Sequence, residues 1–198
     1  MTQKMNTEAR REQIAGAALV LLAERGSEGF NIADLAEGVG LVPSAIYRHF
    51  EGREDVLDAA LDVFRDRVYG LVEAARNEAE DPLEALELLL TRHARLIESG
   101  GAVPHIMASM SAPDRHAARR AKTEKIFTGY VARVERLVRD GQESGQVRSD
   151  IDSTTAALLF AGMIQPAALL RHAEGERFDI MAHAAGVWEL FRRAVACD

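Results

Sequence analysis

Residues 30–57 read FNIADLAEGVGLVPSAIYRHFEGREDVL. The stretch holds two short helical segments, a tight turn between them, and the start of a longer helix. Asn31 is placed to cap the first segment, with Asp34 three residues on in the position of a capping-box acid. Ile32, Leu35, Ala36 and Val39 recur at helical spacing and give that segment one apolar face. Gly40 stands where a helix end needs positive φ, and Leu41 follows as the apolar contact that accompanies such an end. Pro43 suits the first position of the next helix, where its missing N–H would have had no partner. Two helices joined by so short a turn cross steeply rather than run antiparallel. The pattern predicts a helix-turn-helix, whose second helix can enter a DNA major groove.

Leu35-Ala36, Gly40, Ile46-Tyr47, His49-Phe50 and Leu57 fall at the spacing of a known signature, and on these residues the chain resembles the TetR (tetracycline repressor)/AcrR family of bacterial transcriptional regulators. Asn31 stands where that family usually has Thr, and Arg53 where it has Lys; both keep the chemistry. Val42 stands where Ser normally caps the recognition helix, and the loss of such a cap costs about 1 kcal/mol. The resemblance implies DNA contacts at Asn31, Pro43, Ser44, Tyr47, Arg48, His49 and Arg53. Of these, Tyr47 and His49 are expected on backbone phosphates, which position the protein, and Ser44 and Arg48 at base edges, which specify it.

Charge bears on this expectation. The formal net charge is −7, whereas affinity for DNA rests largely on neutralising phosphates. Residues 1–53 are not basic either: Lys4, Arg10, Arg11, Arg25, Arg48 and Arg53 face Glu8, Glu12, Glu24, Glu28, Asp34, Glu37 and Glu51. That balance argues against a general nucleic-acid binder. A site-specific regulator needs only a few cations facing the groove.

No apolar run near 18 residues stands out to cross a membrane, and MTQKMNTEARREQ lacks the apolar core of a signal peptide. The single cysteine, Cys197, has no internal partner. A cytoplasmic protein is expected.

Helical periodicity continues along the chain. Ile14, Ala18, Leu21 and Leu22 stripe a first helix that ends near Gly26 and Gly29. Leu57, Leu61, Phe64, Val68, Leu71 and Ala75 keep the period through a long helix opened by Glu51-Gly52-Arg53-Glu54-Asp55, whose acids suit a helix start. Asp81-Pro82-Leu83-Glu84 starts another. A short segment is expected over 103–110, then a long helix ending near Gly145. The last two helices are expected over 154–171, capped by Asp152 or Ser153, and 178–196. Pro166 deprives the Gly162 carbonyl of its helical donor and predicts a kink. No strand pattern emerges. The fold class expected is all-α: an N-terminal three-helix DNA-binding domain over 1–53, then a larger helical regulatory and dimerisation domain over 54–198.

Enzyme signatures are missing. Six histidines invite a metal site, but His93, His105, His116, His172 and His183 form no His-Glu-x-x-His or His-x-x-x-His pair. No Glu-x-x-His, Gly-x-Ser-x-Gly or phosphate-binding Gly-x-x-x-x-Gly-Lys occurs. Neither catalysis nor a cofactor or metal is expected.

Phe64, Val68, His93, Ile97, His105, Met107, Met110, Phe127, Tyr130, Phe160 and Met163 come from several helices and can line one mostly apolar cavity, with His93, His105 and Tyr130 as its polar groups. The same residues equally suit a plain core; the family resemblance favours an effector site for a small, largely apolar molecule. The final helices carry more apolar residues than one buried stripe needs. The resemblance implies that they pair with those of a second copy as a four-helix interface, which assigns Ala161, Gly162, Ile164, Ala168, Val187, Trp188 and Phe191 to a homodimer. Such a dimer would bind the two halves of a palindromic operator in double-stranded DNA. The expected function is a sequence-specific transcriptional regulator, a repressor released by its effector. The alternative is a helical ligand- or partner-binding protein with a weakened DNA head.

Overall fold

In the computed structural model, which describes residues 7–99 and 117–197, the decisive turn forms as its sequence dictates. Helix α1 spans Thr7–Gly29 and is broken at Gly26, whose φ of 68° leaves the helical region. Helix α2 spans Ile32–Gly38, with the Asn31 side chain accepting from the Asp34 N–H at 2.8 Å. Its other end closes through Gly40 at φ 67°. There the Leu41 N–H donates to the Ala36 carbonyl at 2.8 Å and the Gly40 N–H to the Glu37 carbonyl at 3.0 Å. That is the two-bond pattern of a Schellman end. Helix α3, Pro43–Ile46, follows after Val42, which offers no side-chain cap. Beyond Ile46 the chain tightens: the Arg48 N–H reaches the Ala45 carbonyl and the His49 N–H the Ile46 carbonyl, i→i−3 bonds of the 3₁₀ type.

Helix α4 runs over Arg53–Glu78, α5 over Pro82–Glu98, α6 over Ala117–Glu143, α7 over Ser153–Glu174 and α8 over Ile180–Val195. Asp81, Asp152 and Asp179 each accept the N–H three residues on, at 2.8 to 2.9 Å. Each satisfies a backbone donor that the helix start leaves free. Helix α7 runs continuously through Pro166. The segment expected over 103–110 lies outside the described residues.

By packing, the described chain divides into two units, residues 7–66 with 117–123, and residues 67–99 with 124–197. The division at 66/67 comes later than the expected 53/54, because the first half of α4 packs with the helix-turn-helix. Leu57 and Leu61 (1% exposed) and Val56 (fully buried) join Ile14, Leu35, Ile46 and Phe50 in the buried set of the first unit. The start of α6 joins them through charge: Lys122 Nζ lies 2.8 Å from Asp62 Oδ2 and 2.7 Å from the Asp58 carbonyl.

In the second unit α5 packs against α7 and α8, which pack on each other. Leu86, Leu89, Leu90, Val134, Phe160, Trp188 and Phe191 belong to one core. No strand occurs among the described residues; a single antiparallel bridge joins Val147 to Ala196. One expectation needs correcting. Ser153–Arg171 of α7 is apolar enough and long enough to cross a membrane by length and composition alone. Here its inner face, Ala157, Phe160, Ala161, Ile164, Ala167 and Ala168, is buried in the core.

Candidate DNA-reading head and effector core

The reading head is held from below. Ile46 is fully buried and Phe50 is 2% exposed. The residues between and before them therefore point outward: Pro43, Ser44, Tyr47 and Arg48 are exposed, as is Asn31, while His49 is half-buried. Tyr47 is 56% exposed, far more than a ring of its size shows in a core.

Arg11 reaches across from α1 to fix the far end of the head. Its Nη1 donates to the His49 carbonyl, its Nη2 lies 3.0 Å from Asp55 Oδ1, and its guanidinium sits 4.1 Å from the centroid of the Phe50 ring. Asp55 also accepts the Glu51 N–H at 3.0 Å. Burial would raise the Asp55 carboxyl, but the hydrogen bonds from Arg11 and Glu51 and the charges of Arg11 and Lys122 outweigh it and hold the group below its ordinary range. A groove of about 650 Å³ opens here, lined by Arg11, Tyr47, Arg48, His49, Phe50, Glu51, Asp55 and Asp58. His49 Nδ1 is buried without a hydrogen-bond partner among the described residues.

Arg53 is turned inward. Its Nε donates to the Phe30 carbonyl at 3.3 Å, its Nη2 to the Ser27 carbonyl, and its Nη1 lies 2.7 Å from Glu54. Glu54 also pairs with Arg119, whose side chain is only 10% exposed. Sequence reasoning missed this second arginine. Its partner lies sixty-five positions away, and no local spacing announces so remote a pair.

In the second unit, His93 (6% exposed) and Tyr130 (7%) are buried side by side. Their rings meet edge-on, centroids 5.3 Å apart at 81°. His93 Nδ1 lies 2.9 Å from the Leu89 carbonyl, which assigns the proton to Nδ1 and leaves Nε2 as an acceptor. Burial lowers the imidazole to about 4, against a smaller opposing effect of the Leu89 bond, and raises the Tyr130 phenol. Both are neutral at physiological pH. The Tyr130 hydroxyl has no hydrogen-bond partner among the described residues, an expensive state for a buried donor.

Ile97, Tyr130 and Phe160 share the core of this unit, with Phe127 and Met163 packed against it. Val68 is buried too. Phe64 belongs to the first unit, and His105, Met107 and Met110 lie outside the described residues. Of the residues assigned to the dimer face, Ala161, Ile164, Ala168, Trp188 and Phe191 are buried within their own unit, Val187 is half-buried and Gly162 is exposed. The outward face carries other apolar residues: Leu158, Leu159, Leu169 and Leu170 of α7, each 42 to 55% exposed, and Leu190 of α8 at 69%.

Two family models cover nearly all of this. One, described as bacterial regulatory proteins of the tetR family, matches residues 14–60; another, described as the C-terminal region of YsiA-like protein, matches residues 64–194. The chain belongs to the TetR family. Among its relatives in that family is the fatty acid metabolism regulator protein of Bacillus subtilis (strain 168), 23% identical over 181 residues, covering 90% of this chain and 91% of the relative. The HTH-type transcriptional repressor KstR2 of Rhodococcus jostii (strain RHA1) is 25% identical over 151 residues, 72% of this chain and 70% of that one. The solved structure of the regulator FadR from Bacillus subtilis in complex with stearoyl-CoA superposes with a TM-score of 0.74 at 22% identity, covering 90% of this chain and 96% of that one. That likeness is one of fold.

Proposed function

We propose that this TetR-family protein is a homodimeric, sequence-specific DNA-binding repressor of the cytoplasm, released from a palindromic operator by a small, largely apolar effector. The observation that carries the DNA half is the outward set Ser44, Tyr47 and Arg48 on a segment pinned by buried Ile46 and Phe50. An aromatic hydroxyl and a guanidinium standing clear of the core suit phosphate and base contacts. The leucine face of α7 and α8 supports a two-fold partner, since so many exposed leucines on adjacent helices are expensive in water.

The effector half rests on the orphaned Tyr130 hydroxyl beside the neutral His93. A phenol donor and an imidazole acceptor in an apolar core suit an uncharged carbonyl or hydroxyl on a ligand that is otherwise hydrocarbon. The acyl chain and thioester carbonyl of a long-chain acyl-CoA meet that description, its charged nucleotide staying outside the apolar core, and a protein of similar fold is known with stearoyl-CoA bound. Effector binding then favours the conformer with lower DNA affinity.

The test is a gel shift of the purified protein on its own upstream DNA across a salt series, with stearoyl-CoA, stearate or coenzyme A added. A complex that survives competitor DNA and is dissolved by stearoyl-CoA alone is the expected result. A specific complex indifferent to all three sinks the acyl-CoA reading and leaves the DNA reading standing; loss of specificity over competitor DNA sinks the latter.

A further inference from the structure

Val42 occupies the N-cap of α3, where its side chain makes no capping bond. It is extended, at φ −91° and ψ 151°, and 62% exposed. A lone exposed valine needs no explanation by itself. This one stands where Ser, Thr, Asp or Asn would stabilise the helix, so the position forfeits a cap. The residue after it is Pro43, also exposed and without an N–H. The Val42 carbonyl is already taken by the Ala45 N–H at 2.9 Å. The leading edge of α3 therefore presents methyl and methylene groups where a hydroxyl and an amide would otherwise face a phosphate or a base oxygen. Ser44, two residues on, is exposed and polar.

The N-terminal residues of a recognition helix are those that meet base edges. In the major groove, thymine is the one standard base that displays a methyl group, and apolar side chains pack on it. Resting on the DNA-binding reading above, we infer that Val42 is a specificity-determining residue that reads a thymine 5-methyl group in each operator half-site. Ser44 and Arg48 supply hydrogen-bonded discrimination beside it. The missing cap is then the cost of an apolar reader, and the head is specialised rather than weakened.

The experiment uses the full-length protein and a duplex enriched from a random 30-base-pair pool. Each thymine is replaced in turn by deoxyuridine, symmetrically in both half-sites, which deletes the methyl and leaves the pairing edge unchanged. Wild-type protein is expected to lose about fourfold in affinity per half-site at one position, the worth of one buried methyl. Val42→Ala should bind the all-thymine duplex correspondingly less well and show no further loss at that position. Val42→Ile, which keeps the apolar contact, should retain the penalty, and circular dichroism melts confirm that both variants fold. The inference is overturned if no deoxyuridine lowers wild-type affinity, or if Val42→Ala keeps the full penalty. Failure to enrich any duplex overturns the DNA-binding reading itself, a distinct result.

Discussion

Arg11 and Asp55 are paired at 3.0 Å, and the same guanidinium lies over the Phe50 ring and donates to the His49 carbonyl. One side chain from α1 thus ties the last turn of the reading segment to the first turn of α4. Both partners are partly exposed, so the ion pair itself contributes only about 0.5–1 kcal/mol, and the ring contact adds a similar amount. Arg11→Met is expected to lower stability by about 1–2 kcal/mol, read by urea unfolding at neutral pH. Because the folded Asp55 carboxyl is held low, its contribution is present above the ordinary carboxylate range and is lost as pH falls through the lower folded value. The gap between wild type and variant should therefore narrow in strong acid.

Tyr47 and Arg48 are adjacent and both exposed, yet they should fail differently. Tyr47→Ala is expected to weaken binding to every duplex by about tenfold, the worth of a hydrogen bond to a charged phosphate. Arg48→Ala should instead cost about 1–3 kcal/mol on the preferred site and little on random DNA. Parallel titrations on an enriched and a scrambled duplex decide this. A Tyr47→Ala variant that loses discrimination alone contradicts its phosphate role.

His93 is expected to make the second unit sensitive to mild acid. Its folded value near 4 lies below the 6.5 of an unperturbed imidazole, so the unfolded chain takes up the proton first. The stability it permits is complete above 6.5 and falls away as pH drops toward 4, by on the order of 3 kcal/mol in total. His93→Gln should flatten that part of the profile. Unfolding curves at several pH values measure it, and equal acid sensitivity in the two proteins would remove His93 as the cause.

Leu159 and Leu190, 54% and 69% exposed, mark the face assigned to the partner copy. Leu159→Glu and Leu190→Glu are each expected to give monomers in sedimentation at micromolar concentration. DNA affinity should fall by about 10²–10⁴ as the second half-site is lost, with the circular dichroism unchanged. A dimer that persists in both variants places the interface elsewhere.

The helix-turn-helix was legible because its signals are local. Asn31, Gly40, Pro43 and the buried Ile46 and Phe50 act within a few residues of themselves, and each does in the structure what its chemistry requires. The caps at Asp81 and Asp152 were legible for the same reason. Arg53 was harder. The resemblance implied a DNA contact there, but the carbonyls of Ser27 and Phe30 accept from the guanidinium, and sequence spacing cannot show where a long side chain turns. The resemblance assigned Ala161, Gly162 and Ala168 on the penultimate helix to an interface. Of these, Ala161 and Ala168 are buried inside their own unit and Gly162 is exposed, while the larger leucines are left outside. Apolar periodicity tells that a helix has two sticky faces; which of them faces home depends on the partner helices.

The crossing of α2 and α3 is set by the torsion of Gly40 and two amide–carbonyl bonds, none of which involves a side chain that stands clear of the core. Mounting and lettering are thus separable in this molecule. On the proposed reading, substitutions at the outward positions are expected to change which operator is chosen while the blade keeps its pitch. Gly40→Ala is the opposite case: it would leave every letter in place and tilt the page.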